Sequence, residues 1–290
     1  MSYKLSPLHT IHQLFFYLHC LSIDIAFGAC LLTGAFTLLL PIQFPFYLYL
    51  LLFNCTLLVY WFDHLQDSYS AILVQNSKRH LLFFNWRKAF IGASGLLVLT
   101  NTVIVFLFLN LNQIIIGSSV TMLAGIYLLF HRKWPRILWL EKELWIAALY
   151  TMAIALIPIL TLEKMSILVW PELLAISGLI GCSALINILS IARIEAHIDQ
   201  QIGIKNLATQ YSANLINNLQ YLIFTAQLMV AIGLYLIAPF LQVIYVALPL
   251  SLNSIFQLSL PSLASRFKQE EYHCLGDWAF IVCGLLYYFL

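Results

Sequence analysis

The run 45-PFYLYLLLFNCTLLVYWFDHLQD-67 opens on a proline, stays apolar for some seventeen residues and closes on two aspartates, Asp63 and Asp67, four residues apart. About 20 apolar residues in a helix cross the ~30 Å of bilayer hydrocarbon, so the stretch reads as a membrane span. Carboxylates at the end of such a span are costly, and the pair calls for a compensating partner. The rest of the chain carries the same signal. Of its 290 residues 62% are hydrophobic and only 9% charged, where a soluble domain carries roughly 25% charged residues. The short alternating segments of a β-barrel are absent. The expected fold class is therefore an all-α, polytopic membrane bundle, a multi-pass integral membrane protein.

Apolar runs between polar breaks predict about nine transmembrane helices, near 15–40, 45–62, 89–109, 112–130, 144–162, 167–192, 215–237, 240–260 and 275–290. Pro41, Pro45, Pro239 and Pro261 mark ends of these runs. The first run contains Asp24 and no small-residue cleavage site follows it, so a removable signal peptide is not expected. The six cysteines form no C-x-x-C pair and read as small buried apolar residues.

Lysine and arginine set the orientation. With nine spans and a cytoplasmic N-terminus, only Lys164 of the 14 basic residues falls on the outer side. The outer turns are tiny and the long connections cytoplasmic, which places the chemistry on the inner face (of the inner or plasma membrane in a bacterium). No linker or soluble domain interrupts the pattern, so residues 1–290 are expected to form a single transmembrane domain.

The acids come in a second pair. The sixth run ends in 195-EAHID-199, with Glu195 and Asp199 again four apart. Residues at i and i+4 share a helix face, so each pair is a two-carboxylate claw. Both members are offset by the same 132 positions, which points to a four-helix unit used twice. Like charges at that spacing repel, and a divalent cation relieves them; Mg²⁺ in particular takes one or two carboxylates together with phosphate oxygens. Basic residues follow each claw, in 76-NSKRH-80 and 203-GIKNLA-208. Beside metal-binding carboxylates they become partners for a diphosphate.

The pattern resembles the UbiA superfamily of intramembrane prenyltransferases, all-helical proteins with two aspartate-rich motifs on cytoplasmic loops after helices two and six. The first family motif, roughly N-x-x-x-D-x-x-x-D followed about ten residues later by R-P, appears as 59-VYWFDHLQD-67 with 79-RH-80; the second, D-x-x-x-D-x-x-x-G-x-x-T, as 195-EAHIDQQIGIKN-206. Val59, His80, Glu195 and Asn206 depart from it. The resemblance implies that Asp63, Asp67, Glu195 and Asp199 are the catalytic, Mg²⁺-holding residues, and that Lys78, Arg79 and Lys205 bind the diphosphate. It implies transfer of a prenyl group from an isoprenoid diphosphate to an aromatic or other lipophilic acceptor within the membrane. The alternative is a catalytically inactive UbiA-like protein acting as a binding or assembly partner.

Asp24, His80 and Asn206 are further cavity candidates, Asp24 because it lies inside an apolar run near the inner face. Tyr60, Trp61, Phe62 and Tyr150 could stack on a prenyl cation. His64 and His197 read as residues flanking the acids, and His9, His12 and His19 as part of a surface-lying lead-in. A transporter would place its acids at the bilayer midplane on broken helices, not at the rim. The short, membrane-proximal basic stretches do not fit nucleic acid.

Overall fold

The computed structural model describes residues 7–40, 42–70, 74–75, 77–130, 142–161, 169–203, 205–264 and 271–289, which are helical with no strand among them. The helices are α1 (Pro7–Cys20), α2 (Ile23–Leu32), α3 (Gly34–Leu39), α4 (Phe46–Asp67), α5 (Lys78–Asn85), α6 (Arg87–Phe108), α7 (Leu111–Phe130), α8 (Lys142–Thr161), α9 (Trp170–Ile202), α10 (Leu207–Gln210), α11 (Ala213–Tyr235), α12 (Phe240–Leu263) and α13 (Glu271–Phe289). Several of the basic residues used for orientation (Lys4, Arg132, Lys133, Arg136, Lys164, Arg266 and Lys268) lie outside the described residues.

Among the described residues seven helices, α4, α6, α7, α8, α9, α11 and α12, are long and apolar enough to cross a membrane. The expected first span is not one straight helix. Its parts Leu14–Cys20 and Ile23–Leu39 meet at 82°, and the pair brings the count to eight if taken as one span. The break sits at Ser22, which adopts left-handed φ and ψ of 57° and 22°. Contacts from α4 hold it: Trp61 Nε1–H donates to the Leu21 carbonyl at 2.8 Å, and Ser22 Oγ pairs with His64 Nε2 at 3.2 Å. The last helix, α13, has 19 residues and packs on α2 and α3. About nine is thus an approximate count.

Two helices run further than the apolar runs that announced them. Helix α4 continues past position 62 to Asp67, and α9 past 192 to Ile202. Both acidic claws are therefore part of rigid helices, not loops.

Helix α9 is the axis of the bundle, packed by α8, α11 and α12. Half of its span is buried, against 11% for α7 and 17% for α6 and α11, which carry exposed Leu, Phe, Ile and Met suited to lipid. Lipid offers no hydrogen bonds, so polar groups inside such a bundle must satisfy one another. Here they form a ladder between α9, α11 and α12. Ser183 meets Asn253 at 2.9 Å and Ser254 at 3.0 Å, Ser254 donates to Gln227 at 2.7 Å, and Gln220 donates to Ser190 at 2.7 Å. Gln257 adds a bond to the Gly276 carbonyl of α13 at 2.8 Å.

Candidate active site

The first claw stands at the end of α4. Ser68 stops the helix, its N–H returning to the His64 carbonyl at 2.9 Å. The chain re-enters a helix at Lys78, where Ser77 Oγ accepts from the His80 N–H at 3.4 Å. This brings His80 Nε2 to 3.5 Å from Asp67 Oδ2. Asp63 and Asp67 are half-buried, whereas His64 and His80 are buried, at 4% and 7% exposure, with their rings edge to face at 5.9 Å. Lys78 is exposed, with Nζ 5.4 Å over the Phe16 ring. Arg79 turns inward, and its Nε is buried without a hydrogen-bond partner.

The second claw is held by partners from α13 and from the turn before α10. Glu195 Oε1 accepts from His273 Nε2 at 2.7 Å and from the Tyr272 hydroxyl at 3.3 Å, both on α13. Asp199 Oδ2 accepts from Asn206 Nδ2 at 2.6 Å. Gly203 makes that return possible. It ends α9 in the left-handed region at φ 74°, a conformation side chains disfavour. Asn206 then caps α10 through a reciprocal pair with Thr209. The buried Glu143 supports the turn by accepting from the Leu207 N–H at 2.8 Å. Lys205 and His197 are exposed.

A third cluster was not expected from the sequence as a site. His19 Nδ1 lies 2.8 Å from Asp24 Oδ2 and 3.5 Å from Asp277 Oδ2, and Asn187 Nδ2 is 3.4 Å from Asp277 Oδ1. His19 is buried at 2% exposure, so it does not lie on the membrane surface: the bend at Ser22 folds the end of α1 back onto α13. Asp24 is likewise buried, with His19 as its partner. The signal for Asp277 was available, since it interrupts the last apolar run as Asp24 interrupts the first.

All three clusters occupy one end of the bundle. Arg79, after the first claw, is near enough for its charge to act on Glu195 of the second and on Asp277 of the third. Tyr60 lies in the fields of Asp24, Asp63 and Asp277. His64 lies in those of His19, His80 and His273. Beneath them is a cavity of about 30 Å³ lined by Tyr60, Tyr150, Asn187, Asp277 and Phe280 among others. Of the four aromatic candidates, Tyr60 and Tyr150 face this cavity, Trp61 is spent on the Leu21 carbonyl, and Phe62 is exposed.

No family model and no curated protein matches the chain by sequence. Solved structures do. A UbiA homologue from Archaeoglobus fulgidus, bound to GPP and Mg²⁺, superimposes with a TM-score of 0.60 at 12% identity, over 94% of this chain and 98% of that one. Its form with DMAPP and Mg²⁺ gives 0.59 at 13%, over 94% and 99%. A digeranylgeranylglyceryl phosphate synthase gives 0.56 at 14%, over 98% of both chains. The chain has the UbiA fold.

On the UbiA fold the departures noted in the sequence acquire physical content. Asn206, at the motif's threonine position, both caps α10 and holds Asp199. Glu195, at an aspartate position, uses its longer arm to reach across to α13. His80, at the proline position, faces Asp67. Val59, in place of asparagine, is half-buried and brings no polar group to the face of the first claw.

Proposed function

We propose that the chain is a metal-dependent intramembrane prenyltransferase, moving a prenyl group from an isoprenoid diphosphate to an aromatic or other lipophilic acceptor. The observation that carries this is the position of Arg79. Its Nε is a buried donor without a protein partner, and its charge reaches both the second claw and Asp277. A buried donor left unpaired is costly, and guanidinium geometry matches phosphate oxygens. Lys205, exposed on the turn after α9, and Lys78 are placed nearer solvent and would meet the diphosphate from outside.

The donor set fits a divalent cation. Asp63, Asp67, Glu195 and Asp199 are all-oxygen ligands at the ends of two rigid helices, and His273 and Asn206 each hold one carboxylate oxygen, which orients the other. Bound there, Mg²⁺ supplies positive charge that stabilises the departing diphosphate. Arg79 adds a fixed charge on the same side. Tyr60 and Tyr150 line the cavity in which the allylic carbon would lie, and aromatic rings there would stabilise positive charge. Asp277, which lines the same cavity and is held by Asn187, is the group placed to receive the proton an acceptor gives up when the new bond forms. At about 30 Å³ the cavity admits little more than a water, so a prenyl tail must part these side chains or extend toward lipid. The bias of lysine and arginine supports a cytoplasmic side for this end of the bundle and for the N-terminus.

The narrow cavity and Val59 favour one other reading, an inactive homologue that binds a partner or lipid. Incubation of the purified protein with labelled GPP and longer isoprenoid diphosphates, with and without Mg²⁺, separates the two. Metal-dependent binding that disappears in Asp63→Ala and in Asp199→Ala supports the enzyme, and equal binding with and without metal sinks it.

A further inference from the structure

The buried histidines of the first claw are more than flanking residues. One ring nitrogen of His64, one of His80 and a carboxylate oxygen of Asp67 all lie within 4.8 Å of one another. Ligands about 2.0–2.2 Å from a tetrahedral ion stand roughly 3.5 Å apart, so closing by about an ångström completes the site. The protein does not satisfy these nitrogens. His64 Nδ1 and both ring nitrogens of His80 are buried without a hydrogen-bond partner, and the 3.5 Å from His80 Nε2 to Asp67 exceeds a good hydrogen bond. Both rings are more than nine-tenths buried. Ser22 Oγ meanwhile holds His64 Nε2 at 3.2 Å, which fixes the ring plane as an outer-shell partner does for a metal-ligating imidazole.

The His19–Asp24–Asp277 cluster offers a control within the same molecule. It has similar composition and also lies within 4.8 Å. There, however, His19 Nδ1 meets Asp24 Oδ2 at 2.8 Å, a full hydrogen bond. At the first claw His80 Nε2 stands 3.5 Å from Asp67 Oδ2 and has no hydrogen-bond partner.

We infer that His64, Asp67 and His80 form a binding site for a first-row transition cation, with zinc as the best-matched ion. Two imidazoles and one carboxylate are borderline ligands that select zinc, iron, cobalt or nickel over magnesium, which prefers oxygen alone. Three protein ligands leave coordination positions open for a diphosphate oxygen or water. The site deepens the function proposed above and rests on it for its purpose, since Asp67 belongs to the first claw. On this assignment Asp67 offers one oxygen to the nitrogen-ligated ion, and Asp63, Glu195 and Asp199, with the other Asp67 oxygen, remain for Mg²⁺.

The test uses the full-length protein in detergent, with Zn²⁺, Co²⁺ and Mn²⁺ as probes and no diphosphate present. Expected are one Zn²⁺ per chain, a visible Co²⁺ absorption of low-coordinate nitrogen ligation, and ¹⁴N couplings from imidazole in the pulsed EPR of bound Mn²⁺. His80→Gln should weaken Zn²⁺ binding by roughly 10- to 100-fold or more and remove one nitrogen coupling, while Asp199→Ala leaves both unchanged. His64→Gln gives a second variant should His80→Gln fold poorly. Failure of wild-type protein to bind Zn²⁺, bound Mn²⁺ without nitrogen couplings, or Zn²⁺ affinity unmoved in correctly folded His variants overturns the site. Mg²⁺-dependent diphosphate binding, measured separately, would then still stand or fall on its own.

Discussion

Glu195 shows how much of a carboxylate's behaviour is decided by residues far away in sequence. Its Oε1 accepts from His273, 78 residues downstream, at 2.7 Å. A partner of that kind fixes which oxygen faces a ligand, and its removal typically lowers metal affinity about 10- to 100-fold. His273→Ala should therefore lose that much metal-dependent diphosphate affinity in a calorimetric titration. His273→Gln, which keeps a donor near Oε1, should recover most of it, whereas a purely structural role would make both variants alike. The i, i+4 acids were legible because spacing along one helix needs no tertiary knowledge. The partner His273 was not, because it reaches Glu195 only through the packing of α13, and the His19–Asp24–Asp277 cluster likewise forms only through the packing of α1 and α13. His64 is a related case: a histidine between two aspartates looks solvated in sequence, and Ser22, His80 and Phe83 bury it only in the folded chain.

Elements announced themselves by hydropathy, and hydropathy has blind spots. It cannot see the 82° break in the first apolar run, because Leu21 and Ser22 barely dent the average while one left-handed residue redirects the chain. It also ended α4 and α9 too early, since acids and histidines at a helix end count as loop. The crossing of α2 and α13 tests the element scale directly. A Cβ on Gly284 would lie 2.5 Å from Leu31 Cβ and 3.0 Å from the Leu31 carbonyl carbon. Gly284→Ala should cost about 1–3 kcal/mol by overpacking, seen as a lower thermal midpoint in detergent. Gly92→Ala on α6, with nothing within 4 Å of the added methyl, should be neutral or slightly stabilising. The turn after α9 gives a second test. Asn206→Ala removes both the cap of α10 and the donor to Asp199, for about 2–3 kcal/mol in total. Asn206→Thr retains a capping oxygen and should lose roughly half as much, by the same melting measurement.

At the scale of the whole molecule, the two claws lie on α4 and α9, helices joined through α8, which packs on both. If both hold one metal–diphosphate group, that group must tie α4 to α9. Mg²⁺ with an isoprenoid diphosphate at about 100 times its Kd should then stabilise the protein by about 2.7 kcal/mol, and EDTA should abolish the rise in thermal midpoint. The joint hold makes a sharper demand on mutants. On the proposed function, Asp63→Ala would remove a ligand from one helix and Asp199→Ala, whose carboxylate is held by Asn206, one from the other. Independent sites would give additive losses of diphosphate affinity. One head group bridging both gives a double variant that loses less than the sum, with a coupling of about 0.5–3 kcal/mol, because a ligand released at one end has little left to lose at the other. Calorimetric titration of wild type, both singles and the double measures that coupling directly. Additivity within about 0.3–0.5 kcal/mol would mean that the claws bind separate ions and share no substrate.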